Sequence, residues 1–159
     1  MVSASDYRVR ELRISYHPVP ASAGGSGSPA GRLVLSTARA ACALFAPRLQ
    51  FESVEVFEVA FLDTKHQLIA IQTVGRGSLD TCIVHPREVF KAALLANASG
   101  IITVHNHPSG VAIPSADDLM LWNRLITAGD LLGIDVCDHL IIGEGTYWSH
   151  SEHQKGCTP

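Results

Sequence analysis

The chain has 159 residues, 47% of them hydrophobic, a net charge of −3 and a pI near 6.2. This is enough apolar material for one compact domain and too little chain for two ordinary ones. Lys and Arg are scattered rather than clustered, so there is no basic stripe to grip a phosphate backbone, and no apolar run nears the roughly 20 residues of a membrane helix.

The first ten residues are polar and charged where a secretory signal would be apolar. Tyr7–Tyr16 alternates enough for a short strand, and residues 17–31, HPVPASAGGSGSPAG, have the composition of a flexible linker. Residues 1–35 are therefore expected to be an arm and linker, and residues 36–159 the domain. Ser36 is placed to cap a helix over Thr37–Phe45, with Pro47 as its stop. Val54–Leu62 is β-branched and aromatic, Asp63–His66 has turn chemistry, and Gln67–Val74 resumes the pattern, which predicts a β-hairpin.

Leu79–Val84 is a further strand candidate. His85–Ala96 predicts a helix with Pro86 at its first position and Asn97 near its end. Ile101–His105 has the make-up of a buried strand, and Ser115 opens a helix to about Ala128. Ile134–Ile142 and Tyr147–His150 read as strands joined by the turn Gly143–Thr146. Helices and strands alternate irregularly, which argues for an α/β three-layer sandwich around a mixed sheet. Cys42, Cys82, Cys137 and Cys157 lie far apart without CxxC spacing, as expected of unpaired thiols in a reducing cytoplasm.

The chemistry concentrates between Thr103 and Asp118. Side chains two apart on a strand share a face, so His105 and His107 project together if the strand continues through them. A Pro/Gly-rich loop then returns the chain, and Asp118 falls in the first turn of the helix that Ser115 opens. Two imidazoles and one carboxylate leave a fourth tetrahedral position for water, the pattern of a catalytic Zn²⁺ site. The residues alone leave a plainer reading open. An HxH pair is common in loops, and Ser115 with Asp118 also makes an ordinary N-cap with an acid at the positive end of the helix dipole.

His105-x-His107, seven residues, Ser115, two residues and Asp118 match the JAMM motif HxHx₇SxxD of the MPN/JAMM metallopeptidase superfamily. The blocks FLDTK (61–65), VHPREVF (84–90), HNHPSG (105–110), AGDLLG (128–133) and DHLIIG (138–143) resemble the C-terminal domain of bacterial RadC proteins, over residues 36 to 153. The resemblance implies a cytidine-deaminase-like MPN/JAMM fold, one Zn²⁺ per chain on His105, His107 and Asp118, and hydrolysis of peptide or isopeptide bonds in an unknown protein or peptide. It also implies a glutamate that takes the proton of a metal-activated water, and a serine that donates to the oxyanion.

Glu55, directly before the aromatic-apolar strand, is the favoured glutamate. Glu58 should face the other way as a solvated or edge residue, and Glu52 and Glu88 are weaker candidates. Ser115 is the expected oxyanion donor, with its capping role as rival, since one hydroxyl is not expected to serve both. Asn106 and Ser109 lie between the ligands and either orient them or close a turn. His139, on an apolar strand, is expected to be a core histidine, His85 to fix a helix entry, and His150 and His153 to be exposed.

The runner-up is a RadC-type module of DNA repair or mobile elements that holds zinc without catalysis. Long RadC proteins carry an N-terminal helix-hairpin-helix domain where this sequence has a short arm, so duplex binding by that domain does not transfer. A nucleobase deaminase needs HxE and PCxxC, and neither occurs.

Overall fold

The computed structural model describes residues 32–77 and 84–154. The strand expected at Tyr7–Tyr16, the linker at 17–31, nearly all of the Leu79–Val84 candidate, Cys82 and Cys157 lie outside them. Along the described chain run α1 (Ala38–Leu49), β1 (Val56–Leu62), β2 (Leu68–Arg76), α2 (Pro86–Leu95), β3 (Gly100–Asn106), α3 (Ala116–Leu132), β4 (Asp135–Ile142), β5 (Tyr147–Ser149) and α4 (His150–Gln154). The strands form one mixed sheet in the order β2-β1-β3-β4-β5. Only the β3–β4 pair is parallel, and α3 makes the crossover between them.

Alternation along the strands divides the core into two layers. Val56, Ala60, Ile102, Val104, Leu140 and Ile142 face α1, packing on Ala41, Phe45 and Leu49. Phe57, Val59, Phe61 and Ile101 face the other way, packing on Val89, Phe90 and Leu125 of α2 and α3. The three-layer α/β sandwich with a mixed sheet is thus the observed architecture. Leu35 joins the core, and Val34 bridges to Gln67, so residues 34–35 sit against the hairpin end. No helix among the described residues is long and apolar enough to cross a membrane.

Several boundaries differ from expectation, each for a local reason. Thr37, not Ser36, caps α1, its hydroxyl accepting from Ala40 N–H at 3.1 Å. Pro47 does not stop that helix. The ring removes only the bond to Ala43 one turn back, while beyond it Leu49 is buried and Arg48 is tied to Glu58 on the sheet face that α1 covers. Helix α3 runs four residues past Ala128. Gly129 lies in its interior, where a Cβ would come within 2.5 Å of Ile134 O, and the stop is Gly133 at φ 68°. After Ser149 the chain turns into the short α4 rather than extending β5 to His150.

Candidate metal centre

Strand β3 ends at Asn106, but His107 N–H still donates to Ile142 O at 3.1 Å, so the extended run continues through both histidines. Their Nε2 atoms come to 3.0 Å. From α3, Asp118 brings Oδ1 to 3.2 Å from His105 Nε2 and Oδ2 to 3.5 Å from His107 Nε2. One ligand atom from each residue lies within 4.8 Å of the others. Tetrahedral zinc with bonds of 2.0–2.1 Å sets its ligand atoms about 3.3 Å apart, so the donor set is of the right chemistry and close enough to suit a metal ion. Burial works against the Asp118 carboxylate. The His105 and His107 rings, with the Ser115 hydroxyl, override it and hold the group well below the usual carboxylate range.

The helix start explains how Asp118 is aimed. Ser115 caps α3 in a capping box: its hydroxyl oxygen accepts from Asp118 N–H at 3.1 Å, and Asp118 Oδ2 accepts from Ser115 N–H at 2.7 Å. The Ser115 hydroxyl also donates to Oδ2 at 2.6 Å. Oδ2 is therefore anchored by the cap and Oδ1 is turned to His105. The two roles expected to compete at Ser115 use different parts of the hydroxyl. Capping takes a lone pair, while the hydrogen is engaged by Asp118 Oδ2.

Residues 35–156 match the family model of the RadC-like JAB domain. The chain belongs to this RadC-like JAB family. It is 50% identical over 107 residues to a UPF0758 protein of Methanosarcina acetivorans, covering 67% of this chain and 47% of that one. Against a UPF0758 protein of Symbiobacterium thermophilum it is 43% identical over 127 residues, covering 80% and 54%. With one from Caldanaerobacter subterraneus it shares 53% over 102 residues, covering 64% and 44%. The chain thus spans about half the length of the curated relatives it matches.

Within this JAB domain the glutamates part by strand face. Phe57 pairs with His105 across the β1–β3 ladder, and continuing that register sets Glu55 opposite His107. Glu55 is half-buried and feels the charges of His105, Asp118 and His107. Burial, the largest influence, raises its carboxyl above the ordinary glutamate range. Glu58 faces α1 instead, but it is not the solvated or edge residue expected from the alternation. It is 3% exposed and takes a bidentate pair from Arg48, 2.9 Å from Nε and 2.8 Å from Nη2, plus the Thr73 hydroxyl at 3.1 Å. Glu52 pairs with Arg76 and Glu88, on α2, with Lys91; neither belongs to the His105–His107–Asp118 group.

The remaining histidines and loop residues sort as follows. His85 stands at the N-cap of α2. His150 is half-buried, not exposed, because its ring packs on Trp122 with centroids 4.5 Å apart. His153 is exposed. Ser109 stays in the loop, its hydroxyl accepting from Val111 N–H at 3.4 Å, and Val111 O lies 2.9 Å from His107 Nδ1. Asn106 orients no histidine. It is buried, and its side chain is bonded to the backbone on both sides of Glu55. His139 is a core histidine as expected, with burial driving its ring well towards the neutral form. Its contacts with His105 and Thr103 were invisible in the sequence, because they join neighbouring strands 34 and 36 residues apart.

Proposed function

We propose that this chain is a zinc-dependent hydrolase of peptide or isopeptide bonds, acting on a protein or peptide. The observation that carries the proposal is the convergence of His105, His107 and Asp118 on one point beside the half-buried Glu55. Two imidazoles and a carboxylate suit zinc and leave one position free. When bound, the metal supplies Lewis acidity that brings the pKa of water to about 7.

The chain's own residues supply the rest. Glu55, raised towards neutrality by burial, takes a proton at its carboxylate and returns it to the leaving amine. Ser115 turns its hydroxyl hydrogen from Asp118 towards the developing oxyanion while its oxygen keeps the helix cap. Val111 and Ile113, exposed on the loop between His107 and Ser115, offer an apolar rim to a polypeptide. Cys42 and Cys137 are free thiols whose pKa burial raises, which suits a reducing cytoplasm.

The test is elemental analysis of the purified protein followed by turnover of an amide library. Near-stoichiometric zinc, lost in a folded His105→Ala variant, supports the metal. Hydrolysis that falls about 10²–10⁴-fold in Glu55→Gln supports the chemistry. A metal-free wild type would overturn the reading, and full zinc with no amide cleaved would leave a binding module in its place.

A further inference from the structure

Among the described residues, only three buried side-chain polar atoms have no hydrogen-bond partner: Gln72 Oε1, His105 Nδ1 and His139 Nε2. Two of them belong to rings in contact, with centroids 5.0 Å apart and planes inclined by 36°. A buried polar atom without a partner forfeits its hydration with no return, so two such atoms on touching rings call for a common explanation.

The requirements on each atom can be worked out. His105 Nε2 faces His107 and Asp118, so it supplies the lone pair to a metal. A neutral imidazole that gives one nitrogen to a metal carries its hydrogen on the other, so His105 Nδ1 is an N–H donor that needs an acceptor. Phe57 stacks on His105 at 6.0 Å and offers none. The His107 ring has its Nε2 on the ligand side and its Nδ1 on Val111 O. The third ring packed on His105 is that of His139.

His139 in turn has its Nδ1 2.6 Å from Thr103 Oγ1, whose hydrogen can point to Asp138 O at 3.4 Å. In that arrangement His139 Nδ1–H donates to Thr103, and Nε2 is left as a bare acceptor. Thr103, His105 and His139 occupy one face of the parallel β3–β4 pair, where Thr103 and His139 are in register. The rings touch with centroids 5.0 Å apart, and the χ2 torsion of histidine is broad, so ring rotation is the motion that would pair donor with acceptor.

We propose that His139 is a positioning residue for the metal ligand His105. Its Nε2 accepts the His105 Nδ1–H, and Thr103 and the Asp138 carbonyl end the chain. This rests on the metal reading above and deepens it. The hydrogen bond fixes the ring's orientation and the hydrogen on Nδ1, so His105 Nε2 is left to present its lone pair to a metal. Partners of this kind are worth 10–100-fold in metal affinity.

Long-range ¹H–¹⁵N correlation on the metal-free wild type tests the inference without zinc and without a variant. The expected tautomer of His139 carries its hydrogen on Nδ1 and leaves Nε2 as a bare acceptor. A hydrogen found on His139 Nε2 overturns the proposal while leaving the hydrolase reading untouched. Chelator competition with zinc gives the second arm. His139→Leu should bind zinc 10–100-fold more weakly, and His139→Gln, whose amide oxygen reaches the Nε2 position, should regain part of that loss. The Co²⁺-loaded leucine variant should also show an altered d–d spectrum. Wild-type affinity in a folded His139→Leu overturns the proposal. If that variant does not fold, the tautomer of the wild type decides.

Discussion

The side-chain carbonyl of Asn106 accepts a 2.8 Å hydrogen bond from the backbone N–H of Val56. Its amide donates to Val54 O at 3.1 Å and to Glu52 O at 3.4 Å. The residue between the two candidate metal ligands His105 and His107 therefore holds the chain on both sides of Glu55. Strand β1 begins only at Val56; before it, Glu55 O accepts from Gly77 N–H at 2.9 Å, and the bonds on either side of Glu55 come from Asn106. Asn106→Ala would leave these buried backbone groups without a partner, at about 1–3 kcal/mol. Denaturant unfolding should show that loss. Zinc content should stay at the wild-type level, because neither histidine is touched, while turnover by Glu55 should fall. A variant as stable as wild type would show that water replaces the amide.

The Arg48–Glu58 pair makes a different prediction, on the opposite face of the sheet. Glu58 is buried and the Arg48 side chain is 31% exposed, so Arg48→Met strands a carboxylate with only the Thr73 hydroxyl as donor. The expected destabilisation is roughly 2–4 kcal/mol, towards the lower end because solvent reaches the site of the lost guanidinium. The double variant Arg48→Met/Glu58→Met should recover most of it, since apolar side chains of similar volume replace a buried pair at little cost. Metal affinity should change in neither. Equal stability of the single and double variants would remove the ion pair from the account of the fold.

These two relationships show where the sequence is legible and where it is not. His105, His107, Ser115 and Asp118 can be found because their geometry is local: two residues along a strand, then the first turn of a helix. The opposite faces of Glu55 and Glu58 are legible for the same reason, since the strand period is two. What covers each face is not local. Arg48 reaches Glu58 from the last turn of a helix that Pro47 was expected to have ended already. The Thr103–His139 contact requires knowing that β3 and β4 are parallel neighbours and in which register. Asn106 offered two local readings, and its role lies in bonds to residues 50 and 52 positions away.

Gly143 bears on the metal loop from outside. A Cβ there would lie 2.4 Å from Gly110 O and 3.0 Å from Ala112 N, both backbone atoms that cannot swing aside. The same approach allows Glu144 N–H to donate to Gly110 O at 2.9 Å, which ties the loop after His107 to the β4–β5 turn. Gly143→Ala should push that loop outwards, costing about 1–3 kcal/mol of stability and weakening zinc binding through His107. Thermal unfolding with and without zinc measures both. An alanine variant with unchanged midpoints in both states would mean the loop yields freely.

Metal uptake should depend on pH in a direction set by His107. Its hydrogen bond to Asp118 is the largest influence on the ring. Burial opposes it, and together with Val111 O and the charges of Asp118 and Glu55 the bond raises the His107 pKa above the ordinary histidine value. That value is about 6.5. Only the neutral ring can bind, so a raised pKa favours the proton and extends its competition with the metal to higher pH. Asp118 is held far down the scale and adds no competition until strongly acid solution. The apparent zinc affinity should therefore begin to fall above about pH 6.5 as solutions are acidified. Below the His107 pKa it should drop about tenfold per pH unit for each proton displaced. Chelator competition between about pH 8 and pH 5.5 measures the slope. A flat affinity down to about pH 6 would mean that the proton does not compete at His107, and that Asp118 and His107 do not face each other in the metal-free protein.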